Sequence, residues 1–220
     1  EKMSKSAGNV IAPQDLVDNY GLDQSRYFML REVPFGNDGD FSRSALIQRM
    51  NSDLANAFGN LVQRTLSMIF KNCDGQIPAP GDFTDEDNAM LTLAGTDMLD
   101  KTRTHLHTMS FHRALEDIWF VIGEANAYVD TQAPWGLKKT DPKRMETVLY
   151  VLAEVIRNLG LIIQPVMPLA ADKILNQIKI AEDARDFTFI GKAHRLKSGI
   201  SIDQPQGIFP RYVEPEEDAA

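Results

Sequence analysis

Three groups of residues have the types and spacing that chemistry needs. The chain opens EKMSKSAGNV, with Lys2 and Lys5 three residues apart around Met3 and Ser4, and Ser6 next. Two ammonium groups on a short polar loop suit phosphate, because phosphoryl and nucleotidyl transfer depend on positioned cations. A solvated terminal tail has the same composition. Farther along, Asn56, Asn60 and Arg64 recur every four residues. On a helix they form one polar stripe, opposite Leu54, Phe58 and Leu61. Such a stripe can be an ordinary solvated face, but asparagine is a weak helix former and Glu or Lys is the commoner choice there. Asn amides and the Arg fork instead suit the base edges of single-stranded RNA. The third group centres on Trp135, directly after Pro134 in NAYVDTQAPWGLKK. An indole at such a rigid corner either stacks on an unpaired base or seals the end of a helical bundle. Trp119, inside the apolar run EDIWFVI, reads as core.

Other chemistries find no support in the spacing. His105 and His107 diverge on a predicted helix, and His112 and His194 have no cysteine or carboxylate pattern around them that reads as a metal site, so no metal is expected. No Ser/His/Asp or Cys/His set and no glycine-rich phosphate loop can be assembled.

The elements that must position these residues are helices. APQDLVDNYGLDQSRYFMLREV reads as two short helices broken at Gly21, and PFGNDGDFS as a turn-rich boundary before an N-cap at Ser42. A long helix follows to about Asn72, with Leu54, Phe58, Leu61 and Ile69 on its apolar side and a kink expected near Asn51. Thr84 caps a helix to about His107, and Ser110 caps another that Pro134 ends. In DPKRMETVLYVLAEVIRNLGLIIQPVMP, Leu149, Leu152, Ile156, Leu159 and Ile163 advance by steps of three and four before Pro165 and Pro168 stop the helix. A last helix is predicted from about Leu169 to Glu182, and a tail with two extended pieces, FTFI and GISI. The fold class is therefore mainly α, an antiparallel bundle of about five helices behind a small N-terminal module.

Bulk composition narrows the setting. The 220 residues carry a net charge of −8, with 43% hydrophobic and 25% charged residues, as in an ordinary globular protein with a real core. No run approaches the roughly 20 apolar residues of a membrane span. The single cysteine, Cys73, excludes an internal disulfide, and the N-terminus lacks a signal-peptide pattern, so the reducing cytoplasm is expected. Acid gathers in DFTDEDN and EPEED, whereas the stretch 43–71 has Arg43, Arg49, Arg64 and Lys71 against Asp53 alone, leaving room for one basic surface.

Taken together, KMSKS, GNVI, RYFMLREVPFGNDGDFS, LANAFGNLVQRT, AYVDTQAPW, IIQPVMP and IFPR resemble, in order and spacing, the C-terminal portion of bacterial-type methionyl-tRNA synthetases. The resemblance covers nearly the whole chain. It implies that Lys2, Met3, Ser4, Lys5 and Ser6 form the mobile loop that closes on ATP and its magnesium, with Lys5 stabilising phosphate charge and Lys2 assisting. It implies a loop at 1–11, a stem-contact module at 12–41 that packs inside the bend of the tRNA, an anticodon-binding bundle at 42–182 and a tail at 183–220. It assigns anticodon reading to Asn60, Arg64 and Trp135, with Asn56 as a further candidate, and makes the methionine tRNA the partner. The family's nucleotide-binding fold and its HIGH signature lie upstream of such a portion. The chain is therefore expected to be a fragment, partnered by its own catalytic domain, inactive alone, without bound cofactor, and derived from a monomeric parent with no membrane contact. Two alternatives remain at this point: the same portion of a class I synthetase for isoleucine, valine, leucine or cysteine, and a helical module that binds protein.

Overall fold

The computed structural model describes residues 11–39 and 41–214. Helix α1, Pro13–Tyr20, starts on a proline whose missing donor costs nothing in a first turn and ends at Gly21. Gly21 has φ 95°, which only glycine adopts freely, and the chain restarts there as α2, Leu22–Glu32. Ser42 accepts a hydrogen bond from the Ala45 amide at 3.3 Å and opens α3, which spans 43–72 in three stretches, Arg43–Arg49, Met50–Gly59 and Asn60–Asn72. The middle stretch is widened instead of kinked. Its φ and ψ stay right-handed, but the ladder runs five residues back, as in the Asn60 amide to the Ala55 carbonyl.

Thr84 and Asp87 exchange the two bonds of a capping box at the start of α4, which covers 85–107 as Asp85–Thr92, Leu93–Asp97 and Met98–His107. It bends at Gly95, whose φ of −100° and ψ of −107° leave the helical region. Helix α5 is Phe111–Gln132, α6 Pro134–Thr140, α7 Pro142–Ile163 and α8 Pro168–Gln177. Three local expectations need correction. Ser110 precedes α5 but gives it no side-chain cap; its hydroxyl lies 3.1 Å from that of Thr108. Helix α8 ends five residues early because Lys179 turns left-handed, at φ 58°, and Glu182–Ala184 is a separate short turn. FTFI is a single tight turn, Phe187–Phe189, not an extended piece, while GISI meets 76–77 in one antiparallel bridge.

The bundle closes around α7, which is buried on every side; Leu149, Leu152, Ile156, Leu159 and Ile163 are all at most 1% exposed. Helices α3, α4, α5, α6 and α8 pack on it. Polar groups on α7 hold the tail: Arg157 pairs with Glu154 at 2.9 Å and donates to the Phe189 carbonyl, Glu154 accepts the Leu196 amide, and Tyr150 donates to the Leu196 carbonyl. The N-terminal segment is joined just as closely. Phe28, Leu46 and Met50 form a second apolar cluster with Leu16, Tyr20, Phe41 and Tyr212, while Tyr27 enters the main core and donates to Asp53 at 2.7 Å.

One carboxylate joins three helices. Asp87 of α4 is fully buried and takes Nη2 of Arg144, from α7, at 2.8 Å and the hydroxyl of Tyr128, from α5. Burial pushes the Asp87 carboxyl up, but the bonds from Arg144, Tyr128 and Thr84 outweigh it and hold it below its usual 3.8. A depressed carboxylate stabilises the fold above its unfolded value and loses that contribution as pH falls through the folded one. Stability should therefore fall as the solution is acidified below about pH 4. Asp87→Asn should cost about 3 kcal/mol at neutral pH, since it strands Arg144, and should flatten the acid side of the profile. Chemical denaturation from pH 7 down to 3 checks both.

Candidate nucleic-acid interface

The widening of α3 decides which of its side chains line up. In a regular helix a step of four residues overshoots a turn by about 40°; with five-back bonding the turn takes in more residues, and steps of four fall closer to a line. Met50, Leu54 and Phe58 are accordingly all buried, while Ser52, Asn56 and Asn60 are all exposed. Past Gly59 the ordinary winding returns and carries Arg64 one further turn along the same polar side.

Trp135 stands on a corner made by backbone geometry. Ala133 is left-handed, with φ 43° and ψ 58°, and the buried Pro134 begins α6, so the helix breaks and restarts within two residues and the indole is 50% exposed. The structure brings Trp135 and Arg64 together: the guanidinium carbon lies 5.5 Å from the ring centroid. The same guanidinium pairs with Asp130 of α5 at 3.3 Å, the Arg64 side chain being 38% and that of Asp130 67% exposed. An ion pair of that kind contributes at most about 1 kcal/mol, so Arg64 can exchange Asp130 for a ligand at small cost. The outcome is a flat aromatic face with a cationic fork on it, continued by two exposed carboxamides about one and two turns away along α3. Such a face can stack on one base and hydrogen-bond its neighbours.

Other sequence expectations fare differently. Lys2, Met3, Ser4, Lys5 and Ser6 lie outside the described residues. The suspected basic surface of 43–71 does not form, because Arg43 pairs with Glu214, Arg49 with Glu32 and Asp53, and Arg64 with Asp130. Trp119 is partly buried, packed on Tyr27 and Phe58, and donates to the Asp53 carbonyl at 3.3 Å. His105 Nε2 sits 3.0 Å from Asp117, and among the described residues no group of three or more His, Cys, Asp or Glu could hold a metal ion. Two cations escaped the reading of the sequence. Lys138 and Lys139 are exposed in the last turn of α6, the helix that carries Trp135, where ammonium groups can meet the phosphates of a nucleic acid stacked on the indole. The signal was the KK at the end of APWGLKK.

Comparison with known proteins finds matches over nearly the whole chain. Residues 1–66 match the family model of class I tRNA synthetases (M), and residues 77–219 match that of the anticodon binding domain of methionyl tRNA ligase. A methionine–tRNA ligase of Rhizobium meliloti is 52% identical over 216 residues, and one of Mycobacterium tuberculosis 48% over 220, each match covering 98% of this chain. The crystal structure of apo Mycobacterium tuberculosis methionyl-tRNA synthetase superposes with a TM-score of 0.90 at 47% identity, over 94% of this chain and 42% of that one. The same enzyme in complex with methionyl-adenylate gives 0.91 at 48% identity, over 95% and 41%. The chain spans 42% of the length of the two ligases. An all-helical bundle over the described residues, matched from 77 to 219 by one family model, belongs to the anticodon-binding domains of methionyl-tRNA ligases.

Proposed function

We propose that Asn60, Arg64 and Trp135, extended by Asn56, read the anticodon of the methionine tRNA, and that the chain works as part of a cytoplasmic methionine–tRNA ligase that activates methionine with ATP and magnesium. The observation that carries the proposal is Arg64 resting on the half-exposed indole of Trp135, at the end of a row of exposed asparagines. Stacking holds an unpaired base without choosing it, and the carboxamides and the guanidinium supply donors and acceptors that can choose. Lys138 and Lys139 would add phosphate contacts with no preference of their own. Replacing Asn60, Arg64 or Trp135 by Ala should each weaken binding to a hairpin carrying the methionine anticodon, CAU, by about 1 to 3 kcal/mol. Each should also erode the preference over a hairpin with a changed anticodon, measured by competition titration. Trp119→Phe should lower the melting temperature and leave the preference intact. If Trp135→Ala lowers the melting temperature sharply and leaves the preference intact, the indole is a plug for the bundle.

In the longer protein, Lys5 and Lys2 would supply positive charge to the ATP phosphates as methionine attacks, within the loop Lys2 to Ser6. The domain that binds methionine and nucleotide is then a partner of this chain. The segment 12–41 would contact the inner bend of the tRNA. Positioning the reactants accounts for roughly 7 to 11 kcal/mol of such a barrier and would fall to that partner domain, so this chain alone should not exchange pyrophosphate into ATP. In the longer protein Lys5→Ala should slow adenylate formation at least about a hundredfold and change methionine affinity little. Near-normal activation by that variant would return the loop to a solvated tail.

A further inference from the structure

Widened helical turns are ordinarily one turn long, and a side chain that inserts into a helix's hydrogen-bond ladder can reshape it locally. Here ten residues, Met50–Gly59, are widened, and α5 supplies a hydrogen bond to one of their carbonyls. The Asn126 amide nitrogen donates to the Ala57 carbonyl at 3.2 Å while also bonding Ile122 of its own helix at 2.9 Å. The Trp119 indole donates to the Asp53 carbonyl, beside the contacts that anchor the upstream end of this stretch. Ala57 lies between Asn56 and Asn60, so the carbonyl that Asn126 shares with the Asn60 amide belongs to the turn that carries both exposed carboxamides. Gly59 belongs to the same arrangement. A Cβ there would lie 3.0 Å from the Leu54 carbonyl oxygen, five residues back, a tight contact that the backbone of the turn would have to give way to.

We propose that Asn126 is a positioning residue for the reading face: its amide holds α3 wide at Ala57 and thereby sets the direction of Asn56 and Asn60 relative to Arg64 and Trp135. Helix α3 is anchored on both sides of this point, upstream where Asp53 bonds Tyr27 and Arg49, and downstream where Leu61, Leu66 and Ile69 enter the core. A turn that tightened between two fixed ends would swing Asn60, which sits at the junction. Asn126 touches no ligand in this account; it acts through the helix.

The inference rests on the anticodon-reading proposal, and the experiment keeps the two apart. The full chain is titrated with a CAU hairpin and with the same hairpin altered at one anticodon base. Asn126→Asp and Asn126→Leu, which keep the size of the side chain and lose its donor, should reduce the CAU preference at least about tenfold, the scale of one lost base contact. Affinity for the altered hairpin should move less than about threefold, because phosphate contacts are untouched. Asn126→Gln, which retains an amide donor, should keep most of the preference. Gly59→Ala, which disturbs the same turn without touching α5, should reduce the preference as Asn126→Asp does. Trp119→Phe is the packing control and should keep the preference at a lower melting temperature. A wild-type preference that survives in Asn126→Asp overturns the role of Asn126 alone, and so does an equal loss of affinity for both hairpins. A wild-type chain that does not distinguish the hairpins overturns the reading of the face and, with it, this inference.

Discussion

The buried carboxylate of Asp87 is the contact on which the end of the bundle that carries Trp135 depends. An unpaired carboxylate in that position would be driven neutral or would unfold its surroundings. It is stable because Arg144, Tyr128 and the Thr84 amide satisfy it, and those groups come from α7, from α5 and from the start of its own helix. Arg144 then donates at 2.7 Å to Gln132, the last residue of α5. Ala133, Pro134 and Trp135 follow directly, so the corner that exposes the indole is built on a fixed base. A rigid aromatic gives up little freedom on stacking, which favours the base contact proposed for Trp135.

The other half of the face is held by α3, which is fastened along its length to sequence-distant elements. Asn51 exchanges two hydrogen bonds with the backbone of Tyr212, Phe209 packs on Phe58 beside Gly59, and Tyr27 of α2 bonds Asp53. All of these contacts lie on the buried and flanking sides. The outward side is left to Asn56, Asn60 and Arg64, which can turn toward a ligand while the helix beneath them stays put. The residues proposed to contact the stem and those proposed to read the anticodon thus share one packed framework instead of a flexible joint.

What could be read from the sequence follows from where each determinant resides. The apolar spacing of α7 and the sided pattern of α3 are local, so the core residues Leu149 to Ile163 and the polar stripe were visible in one dimension. The corner at Trp135 was visible too, because proline acts on its own backbone. The widening of α3 was not, since it shows only in the backbone bonding, and the α5 side chain that meets it at Ala57 lies sixty-nine residues away in the chain. The suspected basic surface failed for the same reason: the acids that neutralise it, Glu214, Glu32 and Asp130, come from other parts of the chain as well as from Asp53 next to Arg49. The bend at Gly95 and the left-handed Lys179 depend on packing and have no local pattern that announces them.

The central claim is that Trp135 stacks on a base of the methionine anticodon. With two tryptophans in the chain, Trp119→Phe leaves Trp135 as the only indole, and its fluorescence reports directly on the face. Titration with a CAU hairpin should quench that emission saturably, with quenching much weaker for a hairpin of altered anticodon at the same concentrations. Emission that stays unchanged while the hairpin binds, or that is quenched equally by both RNAs, would contradict the account.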